Sequence, residues 1–563
     1  MIANFTRRFQ HLIGLGVIAA LACALYLPFL GSPPVFDDKG FFSGRFLSYF
    51  ATHPLGWGLR LPPYFSLAFV EVLWGRIEAH RILGLALHAA CALALYKLIY
   101  DLFLAAQRPG GSGTPPGIEA NAATWALTGA ALFVIHPMAV YGAGYLMQRS
   151  IVLATLFSLL SVILFIRGLT RSSHTDAVSA ALLFALAVLS KEHSVLLPAV
   201  AVLAVPLVAA ERRFAVRHVS IYWLACAPAA LFVTLLSKGL IGAAYEPDFG
   251  MVVTQLESVF GQDIANFPWS LSAVTQAGLF FNYLGLWLWP DIRAISVDLR
   301  INFLDTWSAG WISLKVGAFA AYGVIGFLLL RRGGRAGLVG FGLLYVWVLY
   351  LVEFSTARFQ EPFVLYRSYL WAPGLLLALA AALSAVPRRA ALAAFIFVIP
   401  VLLFQAHDRL VTFSSSLRLW EDAVAKLPEK PVPWGSRTLY NLGREYLYDG
   451  RPERAIEVTE QCMARYPNTF HCYFARGAIH LQLEEFERAR PFFERALELQ
   501  PKDAVTYHHL GVVLENLGRL PEAKALYRRS SALGFKGGDH QLSRLEHPGS
   551  GLVPPKKTAP ASR

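Results

Sequence analysis

Two adjacent carboxylates, Asp37 and Asp38, stand in "PVFDDKGFF", directly behind one apolar run and ahead of further aromatic residues. Repulsion between such neighbours raises one pKa while the other group stays ionised, which suits a division between proton exchange and the holding of cations. Three remote stretches carry charge too: "YLMQRS" with Arg149, "LSKEHSVLLP" with Lys191, Glu192 and His193, and "ARFQEPFVLYRSYLWAPG" with Arg358, Glu361, Arg367 and Tyr369. Each sits at the mouth of an apolar segment, where an ionisable side chain is costly unless paired or set in a wet cavity. Taken singly, each has a plainer use. An Arg at a helix end anchors a headgroup, and His136 in "FVIHPM" ends a helix. Glu192 pairs with Lys191 or a neighbouring Arg, and Asp37 or Asp38 caps an interfacial helix. Convergence of all four stretches on one side favours a site.

Membrane helices are expected to hold these residues in place. The 563 residues are 56% hydrophobic and 15% charged, with a mean hydropathy of +0.48, well outside the soluble range. A crossing needs a run of about 17 to 25 apolar residues. Such runs recur near 12–30, 80–104, 122–138, 150–167, 176–190, 195–210, 218–237, 308–330, 336–353, 366–386 and 390–406, about eleven spans. The first, behind Arg7 and Arg8, lacks a small-x-small cleavage site and reads as an uncleaved anchor. With the N-terminus cytoplasmic, the inward connections carry Arg7/Arg8, Arg108, Arg167/Arg171, Arg212/Arg213/Arg217, Arg331/Arg332/Arg335 and Arg388/Arg389, the positive-inside pattern. The net charge of +13 is thereby accounted for without a nucleic acid. Counting "LFFNYLGLWLWP", 279–290, as a crossing would put "RRGGR" on the wrong side, so it reads as re-entrant or interfacial. Asp37/Asp38, Arg149, Lys191–His193 and Arg358–Tyr369 then all open outward.

From about Leu410 the composition turns charged and helix-favouring. Gly443, Gly477 and Gly511 are spaced 34 apart, as are Ala455, Ala489 and Ala523, and Pro467 and Pro501 close two units. This is the tetratricopeptide signature, in which small residues let paired helices pack closely and each unit buries a face on the next. Such arrays hold extended polypeptides along a concave face, or serve as scaffolding. "LRLWEDAVAKLPEKPVPW" reads as an extra packing helix. Cys462 and Cys472, near the junction of the first two repeats, could form a disulfide outside the cytoplasm. Cys23, Cys91 and Cys226 lie in apolar runs and read as structural. The expected division is 1–408 membrane domain, 409–435 connecting helix, 436–538 three repeats and 539–563 disordered tail.

In order, "FDDKGFF", "HPMAVYGAGYLMQRSIVLATLF", "LSKEHSVLLP", "LGLWLWPDIRAISVD", "LYRSYLWAPG" and the trailing repeats resemble the tetratricopeptide-containing multi-span protein O-mannosyltransferases and their bacterial relatives in the GT-C superfamily. The stretch after His136-Pro137 lacks the Glu that eukaryotic members carry. The resemblance implies an all-α, GT-C-like polytopic bundle with a membrane-embedded cavity, followed by an α-solenoid; the arginine pattern puts the repeats on the outer, periplasmic side of a bacterial inner membrane. It implies a polyprenyl-phosphate-linked sugar donor and a hydroxyl acceptor, on a secreted or surface protein held by the repeats. A hydroxyl attacking an anomeric carbon needs a general base; Asp37 and Asp38 are the candidates, and the resemblance favours Asp37. The departing lipid phosphate needs cations: Arg149 and Arg367 first, then Lys191, His193 and Arg358, with His136, Glu192 and Tyr369 in support. No His/Cys/carboxylate cluster demands a metal, although Asp37, Asp38 and Glu192 could bind a divalent cation loosely. Two other readings stand beside this one: a lipid or cell-wall glycan acceptor, and a non-catalytic membrane scaffold or transporter recruiting partners through its repeats.

Overall fold

The computed structural model describes residues 2–43, 49, 59–106, 118–237, 267–301 and 309–546. Arg108 and the stretch 547–563, most of the expected disordered tail, lie outside the described residues. Among those described, every regular element is helical, and Leu299 and Phe363 form one isolated antiparallel bridge. The chain divides into two units, Met1–Ser415 and Ser416–Arg563.

The first unit contains α1 (Ile2–Tyr26), α2 (Asp37–Ser43), α3 (Leu61–Trp74), α4 (Ile77–Ala105), α5 (Ile118–Ile135), α6 (Pro137–Ala143), α7 (Arg149–Arg171) and α8 (His174–Ser190). There follow α9 (Leu197–Val202), α10 (Val205–Val208), α11 (Arg212–Leu236), α12 (Pro268–Leu288), α13 (Ala309–Arg332), α14 (Gly334–Tyr350), α15 (Ala372–Leu383) and α16 (Arg388–Phe413). Seven stretches, on α1, α4, α7, α11, α13, α14 and α16, are long and apolar enough to cross a bilayer, and the α5–α6 pair, bent by 67°, makes up to eight.

The expected count of about eleven is therefore not reached among the described residues. The run at 195–210 splits into α9 and α10, each opened by a proline, Pro198 and Pro206, because proline suits the first turn of a helix but not its interior. The runs at 176–190 and 366–386 fall on helices of 17 and 12 residues. The apolar helix α3 was not among the expected spans. The stretch 279–290, expected to be re-entrant or interfacial, forms as far as Leu288 the second half of the continuous 21-residue α12, which is not among the helices long and apolar enough to cross. Helices α14 and α15 approach closely at Gly342, where an added Cβ would strike the Gly374 carbonyl and lie 2.7 Å from the Ala378 nitrogen.

The second unit begins with α17 (Ser416–Ala425), which covers the first half of the stretch "LRLWEDAVAKLPEKPVPW", and continues as three pairs: α18 (Gly435–Tyr448) with α19 (Pro452–Arg465), α20 (Phe470–Gln482) with α21 (Phe486–Leu499), and α22 (Ala504–Asn516) with α23 (Leu520–Ala532). The periodic glycines sit where paired helices touch; a Cβ on Gly477 would lie 2.9 Å from the Phe493 ring, and one on Gly511 2.6 Å from Tyr527. Cys462 and Cys472 form a disulfide joining α19 to α20, with Cα atoms 5.4 Å apart. Part of the stretch expected to be disordered from 539 is instead helical, α24 (Lys536–Glu546). Its Leu542 and Leu545 pack on a core containing Leu510, Val513 and Tyr527, closing the last repeat as a terminal cap does.

Candidate active site

The chain turns sharply after α1, with Phe36 at φ 53°, and this left-handed residue starts α2 with Asp37 and Asp38 in its first turn. The two carboxylates part company there. Asp38 is fully buried. Its Oδ1 accepts the Met147 N–H (2.7 Å) and its Oδ2 the Leu146 N–H (3.3 Å), so it caps the 3-10 turn Leu146–Gln148 that leads into α7. Burial pushes its pKa up to about 7, opposed by those N–H donors and by the charge of Arg81. Arg81 is tied down by the Ser32 (2.8 Å), Pro33 (2.9 Å) and Gly144 (3.0 Å) carbonyls.

Asp37 is exposed and faces a cleft lined also by Tyr141, Tyr145, Asp298, Glu361, Phe363 and Tyr366. Its backbone N–H donates to the Tyr145 hydroxyl (3.1 Å). The bridge between Leu299 and Phe363 brings Asp298 and Glu361 to this cleft, and Asp298 pairs with Arg300.

A second cluster gathers around a carboxylate that the sequence reading passed over, Glu353. The 3-10 turn Leu351–Phe354 extends α14 and presents it, and a second 3-10 turn, Leu365–Tyr369, presents Arg367. Glu353 Oε2 accepts from Arg367 Nη1 (3.1 Å) and lies 3.3 Å from Arg358 Nε, while its Oε1 lies 3.2 Å from His193 Nε2. His193 Nδ1 is in turn 3.4 Å from Glu192, which also lies 3.6 Å from Arg60 and 3.9 Å from Lys191. Burial, reinforced by Arg60, draws the Lys191 pKa down to about 7 against the pull of Glu192. Four cations thus face two carboxylates, with His193 between them. Arg60, Glu192, His193 and Arg358 stand on the wall of a cavity of about 880 Å³, otherwise lined largely by apolar groups such as Leu196, Val233, Leu236, Trp269, Leu351 and Phe354.

The two clusters share one turn. Tyr366 lines the Asp37 cleft and lies under the Lys191 ammonium, 5.6 Å from Nζ to the ring centre; the next residue is Arg367. The structure thus brings together Lys191, Glu192, His193, Arg358 and Arg367, and Asp37 lines the cleft to which Tyr366, the neighbour of Arg367, also belongs. It does not gather the others. Arg149 sits beside Asp38, bonded to the His80 carbonyl (2.8 Å) and Ser66 (3.5 Å). His136 caps α6, accepting the Met138 N–H (3.2 Å), and stacks on Trp287 with centroids 4.3 Å apart. Tyr369 is buried against His88, 2.6 Å from hydroxyl to Nδ1. No group of three or more potential metal ligands occurs among the described residues.

Tetratricopeptide repeat models match residues 436–469, 470–503 and 492–525, so the second unit carries tetratricopeptide repeats. No curated protein matches the chain. Among solved structures, MamA is 23% identical, over 24% of this chain and 78% of its own, with a TM-score of 0.21. The oligosaccharyltransferase AglB from Archaeoglobus fulgidus, in complex with an inhibitory peptide and a dolichol-phosphate, is 14% identical over 92% of this chain and 72% of its own, with a TM-score of 0.39. A second oligosaccharyltransferase structure from that organism, tethered to an acceptor peptide, is 13% identical over 80% of this chain, with a TM-score of 0.37; the match spans 59% of its length.

Proposed function

We propose that this chain is a membrane glycosyltransferase that moves a sugar from a polyprenyl-phosphate carrier to a hydroxyl, on Ser or Thr of a secreted or surface protein. The observation that carries the reading is the shared turn: Tyr366 on a carboxylate-lined cleft and Arg367 within a cation cluster beside a large apolar cavity. An isoprenoid tail suits the cavity and its phosphate suits the cations. The motif order that resembles the protein O-mannosyltransferases supports the same chemistry.

The acceptor oxygen bonds to the anomeric carbon as the bond from that carbon to the phosphate oxygen breaks. The electron pair leaves on the phosphate, where Arg367, Arg358 and Lys191 hold the growing charge. The acceptor's proton passes to Asp37, which faces the cleft, whereas both oxygens of Asp38 are committed to backbone N–H groups. In this account Asp38 and Arg149 position the loop between α6 and α7, and His136 and Tyr369 hold the helices behind the site.

The Arg-rich connections near the first spans support an inner-membrane chain with a cytoplasmic N-terminus and its site outside. The Cys462–Cys472 disulfide supports that side for the repeats, since such bonds persist in oxidising compartments. The repeats would hold the acceptor polypeptide. The test is binding of a short-chain polyprenyl phosphate to the full chain in lipid nanodiscs: wild type binds, and Arg367→Ala with Arg358→Ala loses about tenfold or more in affinity. Equal binding by the double variant would remove the donor assignment.

A further inference from the structure

We propose that Glu353 is a positioning residue for transfer, the fixed counter-ion that aims Arg358, Arg367 and His193 at the leaving phosphate; the inference rests on the donor site described above. The two carboxylates of the cluster are held differently. Glu353 is 3% exposed and touches three basic side chains, Arg358 five residues on and the more distant Arg367 and His193, at 3.1 to 3.3 Å. The side chain of Glu192 is 19% exposed, lines the cavity and meets its partners at 3.4 to 3.9 Å. An arriving phosphate competes with Glu192 for Lys191 and Arg60, whereas Glu353 lies behind the cations and stays.

A buried carboxylate in an anion site is unfavourable for anion binding as such, because it subtracts charge where charge is wanted. Its gain is geometric. Two long guanidinium side chains with several rotatable bonds each are held in one arrangement before the donor arrives, and transition-state stabilisation depends on such preorganisation. Glu353 therefore costs ground-state affinity and raises turnover, the opposite signature to that of a phosphate ligand.

The test uses the full chain in nanodiscs, with Glu353→Gln and Glu353→Asp assayed for short-chain polyprenyl phosphate binding and for transfer from membrane-extracted lipid-linked sugar. Glu353→Gln is expected to bind polyprenyl phosphate at least as tightly as wild type, to leave the donor KM no higher, and to lower kcat by about 10²-fold. Glu353→Asp, which keeps the charge, is expected to recover part of that kcat. Wild-type kcat in Glu353→Gln overturns the proposal. So does loss of binding together with a lowered melting temperature in both variants, which would make Glu353 structural only. If wild type itself fails to bind polyprenyl phosphate, the donor reading falls first and this inference with it.

Discussion

Asp37 and Asp38 are chemically identical neighbours separated by their surroundings. Asp37 opens on the cleft, so Asp37→Asn is expected to cut transfer by about 10²–10⁴-fold with the melting temperature unchanged; a smaller loss in a transfer assay would move the base elsewhere. Asp38 makes a different prediction. Its pKa, raised from 3.8 to about 7 in the folded chain, means the protonated acid favours folding: that contribution is complete below 3.8 and is lost as pH rises through about 7. The melting temperature of wild type relative to Asp38→Asn should therefore fall across this window. A constant difference would show that burial does not dominate at Asp38. Lys191 works the other way, since its pKa of about 7 leaves the ammonium available to a phosphate only below that value. The donor KM should rise as pH passes from about one unit below 7 to one unit above, and Lys191→Met should flatten the rise. Lys191, His193, Arg358 and Arg367 were legible in the sequence because charge inside apolar runs is expensive and needs a reason. Glu353 was not: in "LVEFSTARF" it is one acidic residue at the end of an apolar run, and although Arg358 follows five residues later, Arg367 and His193 reach it only through the fold.

At the scale of elements, short turns do the positioning while long helices supply the walls. The 3-10 turns at Leu146–Gln148, Glu192–Leu196, Leu351–Phe354 and Leu365–Tyr369 carry or are capped by the site residues. Sequence periodicity reads long helices well and such turns poorly, so nothing in the sequence singles out Tyr366. The same limit explains the span count, since hydropathy registers the apolar run at 195–210 but not the breaks set by Pro198 and Pro206. The repeats were legible because a fixed period of 34 residues repeats the same close contact, seen at Gly477 and Gly511. The disulfide between α19 and α20 adds a covalent tie to that packing. Cys462→Ser is expected to destabilise this junction by about 2–4 kcal/mol, read as faster amide hydrogen exchange in α19 and α20 of the full chain; unchanged exchange would contradict it.

For the whole molecule, the proposed division of labour gives the chemistry to the first unit and acceptor choice to the second. Deleting residues 436–535 is expected to leave polyprenyl phosphate binding intact and to impair use of the native acceptor. Full glycosylation of that acceptor by the truncated chain would reduce the repeats to scaffolding. If Asp37 and the Arg367 cluster serve one transfer reaction, the intact masses of envelope proteins will record it. Cells carrying the wild-type chain should show at least one protein heavier by a glycan that is missing with Asp37→Asn and with Arg367→Ala, both variants being present in the membrane at wild-type levels. The same glycan mass in either variant would contradict the account.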